Sequence, residues 1–248
     1  MIYRFVNSRK KGAREMKLSS IAKASLALGI LTTGVITTNA QSASAETPKQ
    51  QTKAQDDKAY QTVRDYYTKG YSELHNVNAF RAPKRENVVV VKKDNITTAI
   101  QLKGIDKDLY NANLTGVDVF VVNENDPGKK VVKTIGGLSK TNKGPYYDYV
   151  GSPVLTLFNG KTNKITTMPY FIYKEQVTLK ELDFKIRKVL RQKYDLYEHG
   201  PSNGYIRIHM KGDKPNDYYT FQLNKVLEEH RMGIVVDTTK IDRITVNM

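Results

Sequence analysis

The hydrophobic rhythm of the chain changes twice. In AYQTVRDYYTKGYSEL, residues 59–74, Tyr60, Val63, Tyr66 and Tyr67 recur at helix-like spacing, which predicts a short N-terminal helix. From Asn87 the texture turns to β-branched runs broken by polar turns: NVVVVKK, TTAIQLKG, GVDVFVVNEN and VVKTIGGLSK. DPGKK, residues 126–130, reads as a tight turn, and Gly136-Gly137 as a bulge or sharp bend. Short strands at this spacing predict a small barrel or sandwich.

The second half has another period. PYFIYKEQ reads as one strand, followed by VTLKELDFKIRKVLRQKYDLY. There Thr178 and Glu181 form a T-x-x-E capping box. Leu179, Leu182, Ile186, Val189 and Leu190 put an apolar stripe along one side of a long helix. Lys180, Lys185, Lys188, Arg191 and Lys193 fall mostly on the other side, as a basic face. YIRIHMK and DYYTFQLN alternate across a Gly/Asp/Pro/Asn turn, and a short helix, LEEHRM, precedes a last strand, KIDRITVNM. One long helix across a mixed sheet predicts an α+β domain. The boundary falls near Gly151-Ser152-Pro153, giving a β-rich domain over 59–150 and an α+β domain over 151–248.

Ahead of these, the basic segment MKLSSIAK, the apolar run ASLALGILTTGVI and the small residues Ala43-Ser44-Ala45 form the pattern of a secretory signal peptide. Residues 1–15 look like an upstream extension, with Met16 the expected start. The apolar run is too short for a comfortable bilayer span. ETPKQQTKAQDDK, residues 46–58, is polar without apolar periodicity and reads as a flexible leader. Export predicts a secreted, extracellular protein without stable membrane insertion.

The 248 residues contain no Cys and carry a formal charge of +15, and the chain after residue 45 stays basic. Lacking cysteine, such a domain must be stabilised by core packing rather than disulfides. Its charge directs it to acidic surfaces: sialylated or sulfated glycans, anionic host proteins or nucleic acid. Basic and aromatic residues are not interleaved on one face of the first half, which argues against nucleic acid. No thiol nucleophile, G-x-S-x-G or H-E-x-x-H pattern occurs, so no enzyme is predicted. His75, His199, His209 and His230 are scattered without metal-ligand spacing, and neither metal nor cofactor is expected.

Lys174, Val177, Leu182-Asp183, Arg187, Leu190 and Leu196-Tyr197 match the second signature of the staphylococcal and streptococcal superantigen family. The first signature is partly kept as IGGLSKTN, with Ile135 and Ser139 in place of its tyrosine and threonine. Together with YYDY at 146–149 and the RMG near the end, the mature chain resembles the staphylococcal superantigen-like exoproteins, glycan-binding subgroup. The resemblance implies an N-terminal OB-fold barrel and a C-terminal β-grasp domain with one long helix. It also implies immune evasion by binding host components rather than T-cell cross-linking, since the disulfide loop of true superantigens is absent.

Within YYTFQLNKVLEEHRMG, strand alternation turns Tyr219, Phe221 and Leu223 to one face, and Tyr218, Thr220 and Gln222 to the other. Asn224 is placed to cap the short helix, with Arg231 about two turns along it. Sialic acid needs a donor for its carboxylate, short-range polar contacts and an aromatic wall. Arginine supplies a planar two-pronged donor. The resemblance carries a glycan site onto Thr220 and Arg231, with Tyr218, Tyr219 and Gln222 beside them; Gln222 stands where those relatives commonly have an acid. The implied partner is a sialylated leukocyte glycoprotein carrying sialyl Lewis X-type glycans. The rival reading is a protein-only binder of immunoglobulin, complement or a Toll-like receptor, docking through VVVVKK, Val88 to Lys93, and the basic helix face. An exposed sheet edge offers such domains a route to a homodimer.

Overall fold

The computed structural model describes residues 49–110, 112–122, 131–144, 148–200, 202–212 and 217–248. The signal peptide, the Met16 start and the DPGKK turn lie outside the described residues, as do the first two tyrosines of YYDY. Helix α1 (Lys49–Thr68) leads into a six-stranded sheet of β1 (Tyr71–Arg81), β2 (Val88–Lys93), β3 (Ile96–Gln101), β4 (Leu114–Val122), β5 (Val131–Ile135) and β6 (Leu138–Lys140). A one-turn helix α2 (Asp106–Leu109) interrupts it. The order is β5-β3-β2-β1-β4-β6, antiparallel except where β3 meets β5. Val89, Val91, Ile100, Val119, Val121 and Leu138 fill its own core. This is the N-terminal OB-fold.

The C-terminal β-grasp domain has β7 (Val154–Asn159), β8 (Lys164–Pro169), β9 (Gln176–Thr178), helix α3 (Leu179–Tyr194), β10 (Tyr205–Met210), β11 (Tyr218–Gln222), β12 (Val235–Asp237) and β13 (Ile241–Asn247). Its five-stranded sheet runs β11-β10-β13-β7-β8, with β11 and β8 as edges. Leu155, Leu157, Ile206, Ile208, Phe221, Ile244 and Val246 point from the sheet onto Leu182, Ile186 and Leu190 of α3. The capping box is half made. Thr178 Oγ1 accepts from Glu181 N at 3.2 Å, but the Glu181 carboxylate turns to Lys174 at 2.9 Å and Lys185 at 2.8 Å.

Several elements differ from the sequence expectation. Helix α1 starts at Lys49, taking in most of the expected leader, and Val63 and Tyr67 pack into the β-grasp core rather than the barrel. β1 begins at Tyr71, where helix was expected; its register shifts between Leu74 and Ala79 break the period of two. PYFIYKEQ is not one strand. β8 ends at Pro169, Ile172 makes an isolated bridge to Gly151, and Lys174 turns inward to a buried carboxylate. Part of the basic face of α3 is also built into the molecule. Lys180 is buried and donates to Thr134 Oγ1 at 2.7 Å and Ile135 O at 2.8 Å; Lys185 pairs with Glu73, Lys188 lies over the Tyr71 ring, and Arg191 reaches Tyr67 O at 2.6 Å. VVVV is largely barrel core. Of the surfaces invoked for a protein-only binder, the valines and Lys180 are closed off, while Lys92, Lys93, Lys188 and Lys193 stay exposed.

Candidate functional site

β11 is an edge strand, so one side of its backbone faces away from the sheet. Leu223 N donates to Gly204 O at 2.8 Å and Met210 N to Asp217 O at 2.9 Å, and both contacts continue the β10–β11 register. The ladder bonds of β11 therefore belong to Asp217, Tyr219, Phe221 and Leu223. The N–H and C=O groups of Tyr218, Thr220 and Gln222 point to the open edge. Tyr219 turns its side chain onto the core with Phe221, which takes it out of the outward face. Tyr218 and Thr220 are half-buried on that face, and Gln222 is exposed.

Arg231 meets this edge. Its Nη2 donates to Thr220 O at 3.0 Å, and its Nη1 pairs with Glu228 at 2.8 Å. The guanidinium carbon lies 5.8 Å from the Phe221 ring centroid. Of the five guanidinium N–H groups two are used, leaving donors beside the outward Thr220 N–H. Burial raises the Glu228 pKa, but its own backbone N–H and the Arg231 hydrogen bond pull it below the usual value, which favours the ion pair. Glu228 also borders a cavity of about 560 Å³ with Tyr66, Lys69 and Met232, which neither Thr220 nor Arg231 lines. The Thr220–Arg231 pair is an open edge rather than an enclosed pocket.

Arg231 does not ride on a two-turn helix. A single 3₁₀ turn, Glu229–Arg231, carries it, and Asn224 caps nothing there; its amide contacts Asn203 Oδ1 at 3.5 Å. Contacts from both domains fix the turn instead. On one side, Gly137 N donates to Met232 O at 3.3 Å, and Gly104 passes so close that a Cβ there would sit 1.9 Å from His230 O. Gly136, at φ +57°, likewise leaves room that a Cβ would close to 2.6 Å from the Met232 carbonyl carbon. The IGG of the first signature and the RMG near the end thus belong to one interdomain contact.

On the other side, the second signature anchors the end of β11. Buried Arg187 pairs with Asp183 at 2.7 Å and donates to Leu223 O at 3.0 Å, Gln222 O at 2.9 Å and the Tyr197 hydroxyl. The Tyr67 hydroxyl bonds Asp183 and accepts from Leu227 N at 3.1 Å. Burial alone would lower the Arg187 pKa; Asp183 and the two tyrosines more than offset it and hold the guanidinium charged. Asp183, Arg187 and Tyr197 are therefore positioning residues: they set the Gln222–Leu227 segment that carries the chain toward Arg231.

One neighbour was not singled out in the sequence. Arg207 on β10 lies directly opposite Thr220, with its guanidinium carbon 4.4 Å from the Tyr205 ring centroid and 4.8 Å from that of Tyr218. The alternation of YIRIHM carried the signal, since it puts Tyr205, Arg207 and His209 on the face opposite Ile206 and Ile208. Among the described residues no cluster of His, Cys, Asp or Glu could hold a metal ion, and no helix is long and apolar enough to cross a membrane.

Two family models match this architecture: the staphylococcal superantigen-like OB-fold domain over residues 61–142, and the staphylococcal/streptococcal toxin beta-grasp domain over residues 153–248. The chain belongs to the staphylococcal superantigen-like family. Superantigen-like protein 11 of Staphylococcus aureus is 39% identical over 194 residues, covering 77% of this chain and 96% of that protein. The crystal structure of staphylococcal superantigen-like protein SSL5 complexed with sialyl Lewis X is 36% identical. It superposes with a TM-score of 0.70 over 76% of this chain and 99% of that one. A superantigen-like protein from S. aureus in complex with 3-N-acetylneuraminyl-N-acetyllactosamine is 34% identical. Its TM-score is 0.67 over 76% of this chain and 97% of that one. Proteins of this family are toxins and binding proteins rather than enzymes.

Proposed function

We propose that this protein is exported and binds sialylated glycans of the sialyl Lewis X type on leukocyte glycoproteins, blocking leukocyte recruitment or activation. The observation that carries the reading is the Arg231 guanidinium 3.0 Å from the Thr220 carbonyl, beside an N–H that points out of the sheet. A sialic acid carboxylate would accept from the remaining guanidinium donors and from the Thr220 amide, giving charge-assisted bonds on a rigid edge. The Thr220 hydroxyl and Tyr218 would meet the ring substituents, and Gln222 would offer a neutral amide to the next sugar. That SSL5 and a second relative were crystallised with sialylated glycans supports the ligand class. Burial of the β2 valines and of Lys180 weighs against the protein-only alternative, which is left with the exposed Lys92, Lys93, Lys188 and Lys193.

The test compares binding to neutrophils before and after sialidase, for the parent, Thr220→Pro and Arg231→Ala. Proline at 220 removes the outward N–H without removing a ladder donor to β10. Sialidase and both substitutions are expected to abolish binding while the circular dichroism spectrum is unchanged. Sialidase-resistant binding would reject the glycan reading. If the sialidase-sensitive binding survives in both variants, the glycan site lies elsewhere.

A further inference from the structure

We propose that Arg207 forms a second anion subsite beside the Thr220–Arg231 clasp, which engages a further oxyanion on the same glycan: a sulfate ester or a second sialic acid carboxylate. The proposal rests on the reading that Thr220 and Arg231 hold the first sialic acid. Arg207 and Thr220 form a non-hydrogen-bonded pair of the β10–β11 ladder, the class whose Cα atoms approach to about 4.5 Å. Both side chains leave the same outer face of the sheet. Thr220 is thus common to the two subsites, its carbonyl gripping Arg231 at the edge and its side chain adjoining Arg207 on the face.

The state of the Arg207 guanidinium sets it apart. Tyr205 and Tyr218 flank it, and its buried Nε has no acceptor. Among the described residues no carboxylate or carbonyl pairs with it. Arg187, by contrast, meets a carboxylate, two backbone carbonyls and a tyrosine hydroxyl. One arginine is fully paired inside the fold. The other is held stiff between aromatic rings with its charge unanswered, so an incoming oxyanion would find a pre-oriented fork.

The surroundings favour an anion. His209 on β10 faces the Tyr218 ring on β11, with centroids 5.7 Å apart. On β13 it faces Thr245 Oγ1 at 3.0 Å, and Arg243 as its register partner. Burial, then the positive charges of Arg243 and Arg207, lower the His209 pKa, only partly opposed by Asp242. His209 is therefore a built-in reporter: an anion seated at Arg207 would raise its pKa.

The experiment measures equilibrium binding of the full chain to four immobilised glycans: sialyl Lewis X, its sulfated form, a disialylated form and desialylated Lewis X. The sulfated or the disialylated arm is expected to bind the parent about tenfold tighter than sialyl Lewis X, the equivalent of one charge-assisted hydrogen bond. The arm that gains identifies the oxyanion. Arg207→Gln should erase that gain yet keep sialyl Lewis X binding within about twofold, a change too small for a lost ionic contact. Arg231→Ala should lose every arm. In a parent that binds sialyl Lewis X, selectivity equal to that of Arg207→Gln, or no gain in either arm, overturns the proposal.

A second measurement is independent of the clasp. Sodium sulfate, compared with chloride at equal ionic strength, should raise the His209 pKa read by imidazole NMR in the parent and not in Arg207→Gln. The His209 resonances are assigned by comparison with His209→Gln. An unmoved His209 in the parent counts against the subsite. A sulfate response without binding of any sialylated glycan keeps the subsite and rejects the clasp.

Discussion

Gly104→Ala should disable the candidate site from the barrel side, although residue 104 touches neither Thr220 nor Arg231. A Cβ at 104 would stand 1.9 Å from His230 O and 2.9 Å from His230 C, whereas ordinary contact begins near 3.4 Å. The His230 carbonyl must then retreat by about 1.5 Å, because backbone cannot rotate away as a side chain does. Arg231 N bonds Glu228 O at 2.8 Å, so the 3₁₀ turn moves as a unit and the 3.0 Å contact between Arg231 and Thr220 O opens. Misplacement of about 1 Å can cost about 10²-fold where geometry governs the interaction. Overpacking of this kind costs about 1–3 kcal/mol, and each kcal/mol lowers Tm by about 2–4 °C in a chain of this size. The variant should therefore remain folded at 25 °C while its affinity for sialyl Lewis X, read by calorimetry, falls about 100-fold. Gly70→Ala is the control, since nothing lies within 4 Å of its Cβ. A folded Gly104→Ala that binds as the parent does would refute the idea that the barrel positions Arg231.

Arg187→Ala leaves the buried Asp183 carboxylate without its ion-pair partner, so a loss of about 3–5 kcal/mol and a fall in Tm of about 10 °C are expected by calorimetry. A fall under about 2 °C would show the network contributes little. Thr178→Ala removes the α3 cap and should cost about 1 kcal/mol in urea unfolding; an unchanged midpoint contradicts that role. Because the folded His209 pKa is depressed, mainly by burial, its neutral form contributes stability that is fully present above the unfolded pKa of about 6.5. That part is lost as pH falls through the lowered folded value. His209→Gln should flatten the dependence of the urea midpoint between pH 7.5 and pH 5; an identical slope would remove His209 as its source.

The long helix was legible because its period, its T-x-x-E start and its apolar stripe all agree. The role of its lysines was not, since a basic face normally meets water. Here Lys180 reaches into the barrel at Thr134, a contact that exists only once the two domains and α1 enclose the helix. β1 was hidden by its irregular pairing around Asn76, at φ +50°. The hairpin of β7 and β8 was not read, although LTLF, NGKTN and KITTM carry alternation and a turn signal. At the candidate site, Thr220 and Arg231 do come together. The orientation that joins them is a tertiary fact: it depends on β11 being an edge and on glycine contacts between the domains. Tyr219, set beside the site by the resemblance, packs toward the core, as strand alternation already turned it.

The most direct measurement is a crystal structure of this chain soaked with sialyl Lewis X. The sialic acid carboxylate should lie within hydrogen-bonding distance of both the Thr220 amide and the Arg231 guanidinium. A well-occupied glycan on any other surface, with that edge empty, would contradict the account.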